Sequence, residues 1–206
     1  MVKIHILGGP GSGKSTLAQC LSSTFHVPHY DLDTIGWKNG DRMAAYIDDA
    51  ISIAEQPGWV TEGIYLIWTD PLLYQADYIV LLEISWPVAA WRIIRRHISK
   101  SLRGTNPYPS IKLLFKLLKY TRSYYKDKVS SDRPTAESAC MYIEEHGDSA
   151  EPPHAERLLM HLETYRISIP PTAAFVHIYL ETYKEKVLLV KNNADRERLL
   201  ALFTKR

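Results

Sequence analysis

Gly8-Gly9-Pro10-Gly11-Ser12-Gly13-Lys14-Ser15-Thr16 lies between two segments of opposite periodicity. Before it, Val2 to Leu7 is short and mostly apolar, the composition of a buried strand. After it, Leu17, Ala18 and Leu21 recur at helical spacing within Ser15 to Thr24. The segment matches G-x-x-x-x-G-K-[ST] at every position, with the strand and helix that the pattern requires on either side. Its physics explains the residue types. Glycines tolerate positive φ and lack Cβ, so the backbone N–H groups can wrap round a phosphate. The helix that starts there adds the positive end of its dipole. Lys14 is expected to reach the β- and γ-phosphates of ATP or a similar nucleoside triphosphate, and the Ser15 hydroxyl to coordinate Mg²⁺.

Outward from the loop, short apolar runs alternate with helical patterns. Val27 to Leu32 reads as a second strand, Trp59 to Thr61 as a third, Ala76 to Ile84 as a fourth and Val187 to Val190 as the last. Helices are expected over Arg42 to Glu55, Pro87 to about Arg103, Ile111 to about Lys126, His154 to Tyr165 and Asp195 to Phe203. Such alternation implies a parallel α/β sheet. Residues 129–179, punctuated by Pro152-Pro153 and Pro170-Pro171, read as an insertion of unassigned role within a single domain spanning 1–206. The tetrapeptide Leu-Glu-Thr-Tyr at 162–165 recurs at 180–183, too short to establish a repeat.

The chain has 206 residues, 46% hydrophobic and 23% charged, enough for an ordinary globular core. Its two cysteines, Cys20 and Cys140, lack disulfide-framework or metal-ligand spacing, which points to a reducing, cytoplasmic setting. The apolar run before the glycine loop is too short for a signal peptide, and no window has the length of a membrane span.

Two acidic positions fall at strand ends, where open parallel sheets bind ligands. Asp31 and Asp33 close the second strand. In extended chain both face one side and suit orienting or deprotonating an acceptor hydroxyl, or holding Mg²⁺ through water; a helix cap is the alternative. Glu62-Gly63 closes the third strand. Glu62 is a candidate for the metal or the acceptor, and Gly63 for close approach of a ligand to the backbone.

The net charge of +2 conceals a segregation. From Arg92 to Lys128 there are eleven Lys and Arg against one acid, Asp127. Arg92, Arg95, Arg96 and Arg103 follow the fourth strand, and Lys112, Lys116 and Lys119 form a stripe opposite an Ile, Leu and Phe face. This basic arm, 92–128, suits a lid that neutralises charge on a transferring phosphoryl group. The alternatives are an ATP-dependent, nucleic-acid-associated regulator that binds backbone phosphate through this arm, helped by interleaved Trp91, Tyr108, Tyr120, Tyr124 and Tyr125, then an anionic membrane surface, and a solvated face. The helix from Ile111 also suits a dimer contact; the oligomeric state is left open.

Taken together, GGPGSGKST, HYDLDTIGW, WVTEGIY, ADYIVLLEISWPVAAWRIIRR and VLLVKNNADRERLL resemble the adenylate kinase-related P-loop proteins often labelled DNA topology modulation proteins. More distantly the chain is similar to shikimate kinase and the nucleoside monophosphate kinases. The resemblance covers roughly 1–126 and 183–206. It implies a three-layer P-loop NTPase fold, with a five-stranded parallel sheet, helices on both faces and a helical lid. It implies Lys14, Ser15 and Thr16 on nucleotide phosphates and Mg²⁺, and Asp33 facing a small-molecule acceptor. It implies lid arginines at Arg92, Arg95 or Arg96, and Lys191-Asn192-Asn193 beside the base. Glu62 stands where adenylate kinase has an aspartate, and Trp37 to Arg42 offers no arginine pair for a nucleoside monophosphate.

Overall fold

The computed structural model describes residues 1–39, 42–126, 133–146, 153–166 and 169–204. Gly40, Asp41, Asp127, Lys128 and the segments 129–132, 147–152, 167–168 and 205–206 lie outside the described residues. Five strands form one parallel sheet: β1 (Lys3–Gly8), β2 (His29–Asp31), β3 (Trp59–Gly63), β4 (Tyr78–Leu82) and β5 (Val187–Val190), in the order β2-β3-β1-β4-β5. Ten α-helices surround it among the described residues. They are α1 (Lys14–Phe25), α2 (Leu32–Asn39), α3 (Met43–Ala54), α4 (Asp70–Gln75), α5 (Trp86–Leu102), α6 (Ile111–Tyr125), α7 (Arg133–His146), α8 (Ala155–Tyr165), α9 (Ala173–Leu180) and α10 (Asn193–Thr204). This is the three-layer α/β P-loop fold. No described helix is long and apolar enough to cross a membrane.

The central strands β1, β3 and β4 are buried on both faces, and their side chains alternate between two cores. Ile4, Ile6, Val60, Val80 and Leu82 pack with Leu17, Ala18 and Leu21 of α1 and with Leu199 and Phe203 of α10. Leu7, Trp59, Ile79 and Leu81 face the other way, toward α3, α4, α7, α8 and α9. His5 occupies the middle of β1 with no exposure; its Nδ1 lies 2.7 Å from Thr61 Oγ1, and burial drives its pKa down to about 3, so the ring is neutral.

Most expected elements appear within two residues of their sequence reading. Short α2 and α4, both on one face of the sheet, were not expected. The described residues of 129–179 are built into the core: Tyr142, Leu158, Leu162, Tyr165, Phe175 and Tyr179 pack against Leu66, Ile67, Trp68 and Leu72. The two Leu-Glu-Thr-Tyr copies end α8 and bridge α9 to a 3-10 turn over Glu181–Lys186. At the centre of this packing Asp70 is buried and accepts hydrogen bonds from Tyr142, at 3.3 Å, and from Tyr179. Tyr179 also accepts the N–H of Ile67 at 3.2 Å. Ile67 has φ +67°, a costly value for a β-branched residue that this surrounding structure enforces.

The lysine stripe of α6 is exposed, and so are Ile111, Leu113 and Phe115 of its Ile, Leu and Phe face. Only toward its C-terminus does α6 enter the core, where Tyr124 is buried.

Candidate active site

The glycine loop joins the carboxyl end of β1 to α1, and β1 is flanked by β3 and β4, where the strand order reverses. Ligands of open α/β sheets bind at such switch points. Gly11 and Gly13 take φ of +80° and +97°, conformations that L side chains resist. Close packing reinforces the requirement. A Cβ on Gly9 would lie 2.5 Å from Tyr124 Cε1, and one on Gly11 would lie 2.8 Å from the Ala89 carbonyl oxygen. The loop is also braced from outside. Arg92 Nη1 donates to the Ser12 carbonyl at 2.8 Å and to that of Gly11 at 3.4 Å. Tyr125 donates to the Pro10 carbonyl at 3.3 Å. Carbonyls turned outward to Arg92 and Tyr125 are consistent with N–H groups turned toward a ligand.

Behind the loop, the register pairs Asp31 with Glu62 and Leu7 with Gly63, so all three strand ends finish at one level. Lys14 Nζ lies 3.7 Å from Glu62 Oε2, with the two side chains 14% and 2% exposed. Burial raises the Glu62 pKa; Lys14 and a hydrogen bond with Ser15 pull it back, while Asp31 and Asp33 push it up, leaving it above its ordinary value. Glu62 Oε2 is buried and accepts no hydrogen bond among the described residues, and neither does Ser12 Oγ receive or give one. Ser15 hydroxyl and Glu62 carboxylate are hard oxygen donors, which fits Mg²⁺, an ion that takes one or two protein oxygens and completes its shell with water and phosphate. Among the described residues no three His, Cys, Asp or Glu side chains converge to hold a metal by themselves.

Asp31 and Asp33 are not side by side on an extended strand. The strand stops at Asp31 and α2 starts at Leu32, so Asp31 Oδ1 accepts the Asp33 N–H at 2.9 Å as a helix cap does. That turn leaves the Asp33 side chain hydrogen-bonded to Tyr65, whose pKa is raised by burial first and by Asp33 second. The space a Gly63 side chain would take is filled by Leu32, 3.1 Å away, and by Tyr65, 3.2 Å away. In this arrangement the glycine admits Tyr65, and through it fixes Asp33.

On the other side of Lys14 opens a cavity of about 860 Å³. The loop from Gly11 to Thr16 forms its floor, Arg92, Arg95 and Arg96 of α5 one wall, and Lys191, Asn192 and Asn193 another. The last wall is shaped by a reciprocal cap on α10: Asn192 Oδ1 accepts the Asp195 N–H and Asp195 Oδ2 accepts the Lys191 N–H, both at 3.0 Å. Lys191 Nζ also pairs with Glu83 at 3.1 Å, and Glu83 pairs with His177 at 3.0 Å. Burial pushes the Glu83 carboxyl up, but His177 and Lys191 outweigh it and hold it below its ordinary range.

The structure thus gathers Lys14, Ser15, Asp31, Asp33 and Glu62 at one end, and the arginines with 191–193 at the other. Arg103 lies beyond this cavity, in the exposed turn after α5. Sequence reading missed the part that tyrosines play here. Tyr65 ends the stretch WVTEGIY with no role assigned to it, and Tyr124 and Tyr125 stood out only as aromatics at the end of the basic arm.

No family model matches the chain. It is 28% identical over 118 residues to YqaC of Bacillus subtilis (strain 168), an uncharacterized protein; the match covers 53% of this chain and 66% of YqaC, just under two thirds. Among solved structures, a gluconokinase from Sinorhizobium meliloti is 18% identical, covering 64% of this chain and 77% of its own, with a TM-score of 0.39. Shikimate kinase from Acinetobacter baumannii, solved with shikimate, is 17% identical over 70% of this chain and 92% of its own, with a TM-score of 0.37.

Proposed function

We propose that the chain is a Mg²⁺-dependent ATP phosphotransferase acting on a small hydroxyl-bearing molecule. The observation that carries this reading is the place of Lys14. Its ammonium sits between a cavity walled by arginines, of nucleotide size, and a cluster of three carboxylates at the strand ends. A phosphoryl group passing from one to the other crosses Lys14.

In this reading the loop N–H groups and Lys14 bind the β- and γ-phosphates. Ser15 and Glu62 hold Mg²⁺, which supplies charge neutralisation on those phosphates when bound. Asp33, fixed by Tyr65, orients the acceptor hydroxyl and takes its proton as the oxygen bonds to phosphorus and the β–γ bridging bond breaks. Arg95 and Arg96 lie on the cavity wall and stabilise the charge that develops on the transferring group, and Lys191 to Asn193 face the base. Positioning and electrostatics are the whole of the mechanism asked of the protein.

The test follows the label from γ-labelled ATP with Mg²⁺ and pooled small hydroxyl and acid metabolites, nucleosides and nucleotides, with Lys14→Ala as blank. Label on a small molecule, absent with Lys14→Ala, is the expected result. Asp33→Asn should keep ATP affinity and lose transfer. Transfer undiminished in Lys14→Ala refutes the assignment.

A further inference from the structure

The far end of the α5–α6 hairpin carries a surface that the proposed reaction does not use. Ile98 and Leu102 are one helical turn apart near the end of α5, 51% and 84% exposed. Ile111 and Phe115 are one turn apart at the start of α6, both 66% exposed. The turn between them, 103–110, brings these two apolar pairs to the same end of the hairpin, with Tyr108 exposed within it. Scattered single apolar residues are ordinary on a surface; a cluster at one tip marks an interaction site.

Its charge selects the occupant. From Trp86 to Lys126 there are ten Lys and Arg and no acid. Lys100, Arg103, Lys112 and Lys116 are exposed among the apolar tip residues. A second copy of the chain in a twofold contact would set this cationic patch against itself. A nucleic acid would take the lysines, but its interfaces are wet and polar and would leave the aliphatic Ile98, Leu102 and Ile111 without partners. An anionic bilayer uses both components: lipid phosphate for the cations, and the boundary between headgroups and acyl chains for the apolar side chains. Tyr108 suits the level between them.

We infer that the tip of the α5–α6 hairpin docks on anionic membrane surfaces, with Ile98, Leu102, Ile111 and Phe115 seated among the lipids and Lys100, Arg103, Lys112 and Lys116 on their phosphates. The inference is independent of the reaction proposed above. It gives α5 two ends: Arg95 and Arg96 on the nucleotide cavity, and Leu102 on the lipid.

The test is cosedimentation of the full chain with vesicles of phosphatidylcholine alone or of phosphatidylcholine with phosphatidylserine. Two variants accompany it, Leu102→Ser/Ile111→Ser/Phe115→Ser and Lys100→Gln/Lys112→Gln/Lys116→Gln. All six positions are exposed, and an unchanged Tm would report an intact fold. The wild type is expected on the anionic vesicles and not on the neutral ones. Each basic residue at such a surface contributes a factor of about five, so the lysine variant should bind on the order of a hundredfold more weakly. The apolar variant should lose binding with its charge intact. Binding that survives the apolar substitutions overturns the proposal. So does duplex DNA binding tighter than vesicle binding and unaltered in the apolar variant, which would assign the tip to nucleic acid. A dimer that the apolar variant abolishes would assign it to a second copy.

Discussion

Replacing Asp70 by asparagine exchanges a buried, titrating carboxyl for a neutral amide of nearly the same shape. Burial raises the Asp70 pKa from 3.8 to about 7, and hydrogen bonds from Tyr179 and Tyr142 offset only part of that. The neighbouring Tyr142, Tyr179 and Tyr183 are all pushed above their ordinary values and stay neutral throughout the range that matters. Below about pH 4 the carboxyl is protonated in folded and unfolded chains alike, and its neutral form is fully accommodated. Between about pH 4 and 7 the unfolded chain releases the proton while the native state retains it. The native state then binds more protons, so stability falls as pH rises. Above about pH 7 both states are ionised and the loss levels off. At about 1.4 kcal/mol per pH unit over roughly three units, wild type should lose about 4 kcal/mol relative to Asp70→Asn. For a chain of this size that is about 10 °C in Tm. The assay is thermal unfolding of both proteins at constant ionic strength from pH 4 to 8, read as the difference between them so that other titrations cancel. A difference that stays flat, or one in which wild type gains on the variant as pH rises, refutes the reasoning.

Three further outcomes follow from the site. Gly11→Ala forces a Cβ toward the Ala89 carbonyl at a φ of +80°; strain of about 1–2 kcal/mol or more should weaken nucleotide binding at least about tenfold by titration calorimetry, and unchanged affinity would remove the loop from the site. Arg92→Ala deletes the donor to the Ser12 and Gly11 carbonyls; as the side chain is exposed, the expected cost is about 1 kcal/mol, a roughly fivefold loss of nucleotide affinity with Tm little altered. Tyr65→Phe keeps the ring but frees Asp33; kcat should fall about tenfold with nucleotide affinity intact, whereas a matching loss of affinity would place Tyr65 with the nucleotide instead.

Much of the molecule was legible because its determinants are local. Periodicity marked all five strands, and the glycine loop required its own geometry: positive φ at Gly11 and Gly13 is a property of residue type, as is the need for a cation at Lys14. Charge segregation along 92–128 needed only counting. Where contacts between distant segments decide, the sequence was silent or misread. Asp31 and Asp33 looked like one face of a strand, but the chain turns between them because Asp31 can cap α2. The Ile, Leu and Phe face of α6 carried no sign of what it packs against; in the structure Ile111, Leu113 and Phe115 are exposed.

The sequence by itself determined the glycine loop, the parallel sheet and the sign of the arm that follows β4, since each depends on neighbours in the chain. Only the tertiary structure decided that Tyr65 grips Asp33, that Arg92 and Tyr125 brace the loop from 80 and 115 residues away, and that Tyr179 ties α9 to Asp70 across 109 residues. A tyrosine hydroxyl carries no sequence signal of its partner: the partner is chosen by which elements the two cores press together, and that choice is made by the fold as a whole.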